Sequence, residues 1–295
     1  MRKFLEIIAT ISVLLAVLVG CSSTDAFKSS GSKVRIVAGF YPLAFVAEKI
    51  GGSHVVVENL TRSGVEPHDL ELTPTQVASL TRADIVFYIK GFNPAIDNAI
   101  EQSSINNAVD VSSLEESTSV ENQVIGNDPH IWQDPMKYAQ AASILAKKIS
   151  AIDPKNSKNY DDNLISLKTS LNNLDLEFRS GLTSCDRREI VTSHSAFGYL
   201  AKRYKLLQIG ILGLSPDAEP SPKRLNEIAV QIRRDKITTI FFESMVSPKV
   251  AQTLASDLKV KTALLDPIEG VSKGQTYFTV MEQNLASLRE ALGCK

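Results

Sequence analysis

The chain has 295 residues, 43% of them hydrophobic, and a formal net charge of −1. A chain of this length and apolar content is sufficient for one large or two modest domains with hydrophobic cores. The near-zero net charge gives no reason to expect a nucleic acid as a partner.

Residues 1–20 have the three parts of a secretory signal peptide. Arg2 and Lys3 are basic, the segment 7–19 is apolar, and small residues follow it. The apolar core of about 13 residues is shorter than the roughly 20 residues that a transmembrane helix needs. This segment is therefore predicted to direct export.

Cys21 ends the sequence Leu-Val-Gly-Cys, which resembles the bacterial lipobox, where the signal peptide is cut before a cysteine that then carries the lipid. The alternative is an ordinary signal peptide followed by a chance cysteine. Residues 21–33 are rich in Ser and Lys and lack apolar periodicity, so they are predicted to form a flexible tether. We expect the exported protein to be anchored to a bacterial membrane through Cys21, at the cell surface or in the periplasm.

Short β-branched segments alternate with helix-like segments over residues 34–152. The predicted strands are Val34–Ala38, Val55–Leu60 and Ile85–Tyr88, and the predicted helices are Ala44–Ile50, Thr73–Thr81 and Pro94–Gln102. This alternation is typical of parallel βα units and predicts an N-terminal α/β lobe. The polar, acidic segment 114–127 within it is predicted to be a surface loop.

A linking helix is predicted within residues 153–183. Large apolar side chains recur there at spacings of three and four, at Tyr160, Leu164, Leu167, Leu171, Leu174 and Phe178. Residues 184–295 repeat the βα pattern, with strands at Ile190–Thr192, Leu207–Ile211, Thr239–Phe242 and Lys261–Leu265. The sequence thus predicts two α/β lobes joined by one long, stiff helix.

Cys185 and Cys294 are the two cysteines that remain in the exported chain. In an oxidising compartment such a pair favours a disulfide, although two buried thiols are the alternative. A bridge would close a loop of about 110 residues and fasten the C-terminal helix, with a stabilisation of at most about 4–5 kcal/mol in the chain-entropy model.

Three of the four histidines, His68, His130 and His194, follow strand-like segments, as does Asp266. Taken singly, three of them have an ordinary explanation: His68 as a solvated loop residue, His130 packed on Trp132, and Asp266 as a helix N-cap. Together they lie at equivalent strand ends, two in each lobe, where α/β proteins bind ligands. Imidazole and carboxylate suit a first-row divalent metal, so these four residues are predicted to form a tetrahedral site supplied entirely by protein.

Glu243 also follows a strand and competes with Asp266 for the carboxylate position. We prefer Asp266 as the ligand and predict that Glu243 orients an imidazole N–H. Glu219 is interpreted as a solvated loop residue, and His54, which precedes a strand, as an ordinary surface residue.

At these residues the chain resembles the metal-binding solute-binding proteins of bacterial ABC transporters, the zinc and manganese cluster that includes streptococcal adhesin lipoproteins. The matching stretches are Glu-Pro-His-Asp at 66–69, Asp-Pro-His-Ile-Trp-Gln-Asp-Pro at 128–135, Thr-Ser-His-Ser-Ala-Phe-Gly-Tyr-Leu at 192–200, Gly-Leu-Ser-Pro-Asp-Ala-Glu-Pro-Ser-Pro at 213–222, Phe-Phe-Glu at 241–243 and Leu-Asp-Pro at 265–267. Their order and spacing cover almost the whole exported chain.

The resemblance implies a metal held between the two lobes by His68, His130, His194 and Asp266, and delivery of that metal to a membrane permease with a cytoplasmic ATPase. In the manganese members the third position is usually glutamate. His194 occupies it here, and three imidazoles favour Zn²⁺ over Mn²⁺. Many zinc members have a His-rich loop between the first two ligands; the corresponding segment, 114–127, has no histidine.

Three alternatives remain open. A manganese-specific binding protein of the same family would keep the transport function with another ion. A secreted zinc hydrolase would use Glu243 as a general base, but it requires an open coordination position, and the chain has no His-Glu-x-x-His motif. Adhesion to a host surface would be an added role. We expect a monomeric binding protein that is not an enzyme.

Overall fold

The structure is a computed structural model that describes residues 33–62, 64–120, 123–125 and 127–295. The predicted signal peptide and the lipidation site Cys21 lie outside the described residues. The described chain from Lys33 to Lys295 forms one compact unit.

The first lobe is a four-stranded parallel sheet with the strand order β2-β1-β3-β4. The strands are β1 (Val34–Ala38), β2 (Val55–Asn59), β3 (Ile85–Tyr88) and β4 (Ala108–Asp110), and the helices between them are α1 (Tyr41–Gly51), α2 (Pro74–Arg82) and α3 (Pro94–Gln102). Each of these helices has proline in its first turn, where the missing N–H costs no hydrogen bond.

The predicted surface loop 114–127 contains a β-hairpin, and this part of the prediction is wrong. Its strands are β5 (Thr118–Val120) and β6 (Gln123–Ile125), which pair with each other in an antiparallel manner. Val120 also pairs in parallel with Gln208 of the second sheet. The hairpin therefore belongs to the second sheet, although it precedes the linking helices in sequence.

Two consecutive helices connect the lobes, α4 (Pro135–Ile152) and α5 (Ser157–Gly181), with a short turn at Pro154–Asn156 between them. The predicted apolar stripe faces inward along α5: Tyr160, Leu167, Leu171, Leu174 and Phe178 are all buried. The 25-residue helix α5 has the predicted length and position.

The second lobe is a six-stranded sheet with the order β10-β9-β7-β8-β5-β6, parallel except for the hairpin. Its remaining strands are β7 (Glu189–Thr192), β8 (Leu207–Gly210), β9 (Thr239–Phe242) and β10 (Lys261–Leu264), and its helices are α6 (Gly198–Tyr204), α7 (Pro222–Arg234), α8 (Lys249–Leu258) and α9 (Tyr277–Leu292). The two-lobed α/β fold is confirmed, whereas the exact residue bounds of the lobes stay a prediction.

Cys185 and Cys294 form a disulfide across a sequence separation of 109 residues. The bond fastens the end of α9 to the segment before β7. Backbone hydrogen bonds accompany it, from Arg187 to Leu292 and from Lys295 to Ser184.

Candidate metal centre

His130 is fully buried and its ring is oriented by a carboxylate two residues earlier. The Nδ1 atom of His130 lies 2.8 Å from Oδ1 of Asp128, which also accepts a hydrogen bond from the backbone N–H of His130. The other oxygen of Asp128 accepts from the hydroxyl of Thr118, the first residue of β5. The backbone of Gly198 packs closely against this carboxylate. A Cβ at position 198 would be 2.5 Å from Oδ2 of Asp128, so only glycine allows the helix to approach Asp128 this closely. His130 also contacts the ring of Trp132, with ring centroids 5.2 Å apart. Packing on this indole was the alternative interpretation of His130, and the structure shows that contact together with the place in the cluster.

His194 follows β7 and is supported in the same way by Glu243, which follows β9. Its Nδ1 atom lies 2.7 Å from Oε2 of Glu243, and its backbone N–H donates to Oε1 at 3.0 Å. Both residues are buried. Because an ionised carboxylate only accepts, Nδ1 carries the proton and Nε2 is directed towards the site. The structure thus places Glu243 where sequence reasoning expected it, against an imidazole N–H.

His68 lies on the loop between β2 and α2. Asn93, which caps α3, is buried and its side-chain amide donates to the carbonyl oxygens of Pro67 at 2.9 Å, His68 at 3.0 Å and Leu70 at 3.2 Å. The imidazole of His68 packs on Phe92, with ring centroids 4.3 Å apart. The side chain of His68 is 7% exposed, whereas those of His130 and His194 have no exposed surface.

The carboxylate that joins the three histidines is Glu269. Its Oε1 atom lies 3.3 Å from Nε2 of His68, 3.3 Å from Nε2 of His130 and 3.4 Å from Nε2 of His194. One ligand atom from each of these four residues lies within 4.8 Å of all the others. No other group of three or more such residues that could hold a metal occurs in the described part of the chain.

The structure does not bring Asp266 into this cluster, which corrects the prediction that it is the fourth ligand. Its carboxylate accepts hydrogen bonds from the hydroxyl of Ser244 and, at 2.7 Å, from the backbone N–H of Ile268. Asp266 is also not the N-cap of a helix, because the next helix begins at Tyr277. It stabilises the turn that leads to Glu269.

Sequence reasoning missed Glu269 because the turn before it has an uncommon backbone. Ile268 has φ of 63°, in the left-handed region that β-branched residues rarely adopt. The only sequence signal was a second carboxylate three residues after Asp266, within Asp-Pro-Ile-Glu-Gly. That signal does not by itself distinguish the two acids.

The distances around Oε1 agree with a tetrahedral ion. In a regular tetrahedron ligand atoms lie about 1.63 bond lengths apart, so zinc bonds of about 2.0–2.1 Å separate them by about 3.3–3.4 Å. Adjacent ligands of an octahedral ion with similar bonds would be about 2.9 Å apart. The three separations from Oε1, 3.3–3.4 Å, fit the tetrahedral spacing, and all four ligand atoms lie within 4.8 Å of one another.

The buried polar atoms that point into the cluster lack hydrogen-bond partners. Among the described residues, Nε2 of His130 and Nε2 of His194 are buried and have no hydrogen-bond partner. Buried polar atoms are rarely left unpaired, and a bound cation is one explanation. These atoms fit a metal ion as their common partner.

The charged groups in the cluster shift the pKa values of His130, His194 and Glu269. Burial lowers the pKa of His130, but its interactions with Asp128 and Glu269 raise it more, so the pKa lies above its usual value. The pKa of His194 is raised because Glu243 and Glu269 outweigh burial. Burial raises the pKa of Glu269, yet the three imidazoles hold it well below its usual range. A metal ion that binds at Nε2 must therefore displace protons.

Sequence comparison places the chain among zinc-uptake proteins. Residues 36–291 match the family described as zinc-uptake complex component A, periplasmic. The high-affinity zinc uptake system protein ZnuA of Bacillus subtilis (strain 168) is 32% identical over 308 aligned positions, which cover 98% of this chain and 97% of that protein. The zinc-binding lipoprotein AdcA of Streptococcus pneumoniae (strain ATCC BAA-255 / R6) is 30% identical over 310 positions, and the chain spans 61% of its length.

Solved structures show the same fold. The laminin-binding protein Lmb of Streptococcus agalactiae, described as a bifunctional protein with adhesin and metal-transporting activity, superposes with a TM-score of 0.78 at 29% identity, covering 88% of this chain and 99% of that one. Zn(II)-bound AdcA from Streptococcus pneumoniae gives a TM-score of 0.75 at 30% identity, covering 88% of this chain and 58% of that one.

Two parallel α/β lobes on a long helix, with a buried cluster of three histidines and one carboxylate, define the class of two-lobed binding proteins with a metal-type site. The match over residues 36–291 shows that this chain belongs to the family of zinc-uptake complex component A. Proteins of this family act outside the cytoplasm together with the permease and ATPase of an ABC transporter. None of the helices in the described ranges is both long enough and apolar enough to cross a membrane.

Proposed function

We propose that this protein captures a zinc ion outside the cytoplasm and delivers it to the permease of an ABC importer. The observation that carries the proposal is the position of Glu269 Oε1, at 3.3–3.4 Å from three imidazole Nε2 atoms. His68, His130, His194 and Glu269 would each supply one ligand atom. Zinc is the cargo of the site rather than a resident cofactor.

Zinc is preferred to manganese on the ligand set. Three nitrogen ligands and one oxygen suit a tetrahedral borderline ion, whereas manganese favours oxygen ligands in octahedral geometry. The relatives ZnuA and AdcA are also named for zinc. Manganese is the competing cargo.

Transport is preferred to catalysis because the four ligands fill a tetrahedral site. A catalytic zinc keeps one position open for water or substrate. Glu243, the general base that a hydrolase would need, is bonded through both oxygens to His194 and is buried. We therefore propose a carrier without enzymatic activity.

The anchor, the oligomeric state and the docking partner are part of the same proposal. A lipid on Cys21 would hold a monomer at the membrane, with residues 22–33 as the tether between the lipid and the folded protein, and the loaded protein would dock on the permease. If so, Cys21→Ser should move the protein from the membrane fraction to the soluble fraction, as cell fractionation would detect. Retention of this variant in the membrane fraction would contradict the anchor.

The test of the cargo is competitive metal binding. The purified protein, stripped of metal and then offered zinc with an excess of manganese, should retain one zinc per chain by elemental analysis. Glu269→Gln should weaken zinc binding much more than Asp266→Asn, since only Glu269 contacts the three imidazoles. Preferential retention of manganese would overturn the choice of zinc, and equal losses in the two variants would overturn the ligand assignment.

Delivery is tested in cells. A strain that lacks this protein should grow poorly when zinc is depleted and should recover on added zinc but not on added manganese. Normal zinc accumulation in that strain, measured against a strain that lacks the permease, would contradict the transport function.

A further inference from the structure

The segment that carries Glu269 is bonded from two sides. On one side the indole N–H of Trp132 donates to the carbonyl oxygen of Pro267 at 2.6 Å, and the side chain of Gln133 donates to the same oxygen. On the other side lies Asn284, in the middle of α9. The segment thus joins the stretch that carries His130 to the C-terminal helix.

The side-chain amide of Asn284 both accepts a hydrogen bond from the backbone of Asp266 and donates one to it. The backbone N–H of Asp266 donates to Oδ1 of Asn284 at 2.9 Å, and Nδ2 of Asn284 donates to the carbonyl oxygen of Asp266 at 2.7 Å. The amide therefore acts like a neighbouring β-strand for this one residue. Asn284 is 2% exposed, so losing it would leave two backbone groups buried without partners.

Little conformational freedom separates Asp266 from Glu269. Pro267 has a fixed φ and its carbonyl is held by Trp132. The N–H of Ile268 is held by Asp266 Oδ1 at 2.7 Å. Because metal–ligand distances must be met within about 0.2 Å, a small shift of Asp266 would displace the Glu269 carboxylate from its position between the imidazoles.

We infer that Asn284 is a positioning residue for the metal centre: it sets the place of the Glu269 carboxylate through the backbone of Asp266, without touching the ion. The inference rests on the proposed function and deepens it. Within the described residues the side chain of Asn284 forms its hydrogen bonds with the backbone of Asp266 and not with the four proposed ligands, so its effect on the metal must pass through the loop.

The first test uses Asn284→Leu, which keeps the branched shape and removes both bonds, beside Asn284→Ala, which removes both bonds without adding volume. Zinc affinity of the whole protein should fall about tenfold or more, as it does when supporting residues of other metal sites are removed. With Co²⁺ in place of zinc, the visible absorption of the tetrahedral ion should shift or weaken. An unchanged affinity and spectrum in Asn284→Leu would overturn the inference.

A matched control separates positioning from stability. Leu288 is one turn further along α9 and fully buried, so Leu288→Ala should lower the melting temperature and leave the Co²⁺ spectrum as in the parent. If Leu288→Ala changes the spectrum as Asn284→Leu does, the helix affects the site in general and the specific role of Asn284 is refuted.

A double variant gives a second measurement that does not depend on Asn284→Leu alone. In a Glu269→Gln background, adding Asn284→Ala should weaken zinc binding by less than about twofold, because residues that act through one group are not additive. A full further loss in that background would overturn the inference. Failure of the parent protein itself to bind zinc would instead refute the proposed function, so the two failures are distinguishable.

Discussion

The metal centre has two unequal sides. His130 and His194 are completely buried, and each donates through Nδ1 and its backbone N–H to a buried carboxylate, Asp128 or Glu243. His68 lies on a loop whose neighbours Val65 and Asp69 are exposed. Within the described chain its Nδ1 has no hydrogen-bonded carboxylate, and Asn93 holds the loop through backbone carbonyls instead.

The comparison indicates how the two sides are held in place. On the buried side a carboxylate fixes the tautomer and the direction of each ring, because it accepts hydrogen bonds from both the ring Nδ1 and the backbone N–H of the same histidine. On the loop side the amide of Asn93 and, at 3.3 Å, Oε1 of Glu66 hold the backbone, while the ring Nδ1 has no carboxylate partner in the part of the chain that the structure describes and the ring packs on Phe92. Loss of a ligand should therefore have different secondary effects on the two sides.

The largest expected effect is the loss of a histidine ligand. Structural zinc sites bind with about 10–16 kcal/mol, so one ligand of four is worth about 3–4 kcal/mol, or two to three powers of ten in affinity. His194→Ala and His68→Ala should both show a loss of this size in competition with a zinc chelator.

The stability of the metal-free protein distinguishes the two sides. His194→Ala removes the ring partner of Glu243 Oε2 and leaves that buried carboxylate with only the backbone N–H of residue 194, which costs about 1–3 kcal/mol, whereas His68→Ala removes no ring bond to a supporting carboxylate. Urea unfolding of the metal-free variants should therefore show a larger loss for His194→Ala. Equal losses of unfolding free energy would remove the distinction between the two sides.

The next effect is that of a supporting carboxylate. Glu243→Gln keeps the size of the side chain but removes the negative charge against Nδ1 of His194, so zinc affinity should fall about 10–100-fold. Glu219→Gln, in the exposed loop before α7, is the matched control and should bind zinc like the parent. A wild-type affinity in Glu243→Gln would mean that the charge does not direct the ring.

A smaller effect is expected on the loop side. Asn93→Asp keeps the oxygen that caps α3 at Ile96 but cannot donate to the three carbonyls of the His68 loop. More than one hydrogen bond to the loop is lost, and the share that reaches the metal is expected to equal about one neutral hydrogen bond, about 0.7–1.4 kcal/mol, or threefold to tenfold in zinc affinity. Asn93→Ala should add a loss of stability from the missing cap. If only Asn93→Ala weakened zinc binding, His68 would be supported by the cap of α3 and not by the hydrogen bonds from Asn93 to the carbonyls of the His68 loop.

These differences also explain what the sequence could predict. The strands β1, β3 and β9 begin and end where the apolar, β-branched segments do, because a parallel strand covered on both faces must be apolar throughout. His68 and His194 were found for the same reason, since His68 lies on the loop after β2 and His194 follows β7. His130 follows the polar hairpin and was singled out by its place between Pro129 and Trp132. Glu243 follows β9 in the same way and was assigned its contact with an imidazole.

The two errors have a different physical origin. The hairpin β5–β6 lies in a polar segment and gains its place by pairing with β8, a tertiary contact that periodicity does not report. Glu269 depends on the left-handed backbone of Ile268 and on bonds from Asn284 and Trp132, none of which is visible in local sequence. The position of the hairpin and that of Glu269 are both determined by contacts between residues that are distant in the sequence.

The smallest effect is expected at His54, the one histidine that belongs to neither side of the centre. It lies in the short turn before β2, where its Nε2 atom is 3.0 Å from the amide of Asn159 and its ring packs edge-on to Tyr160. His54→Ala removes those contacts, worth about 0.5–1.5 kcal/mol of stability, and should leave zinc affinity and stoichiometry as in the parent protein. Elemental analysis and chelator competition would measure both. If His54→Ala lowered the zinc content per chain, histidines outside the cluster would contribute to binding, and the assignment of the whole site to His68, His130, His194 and Glu269 would be incomplete.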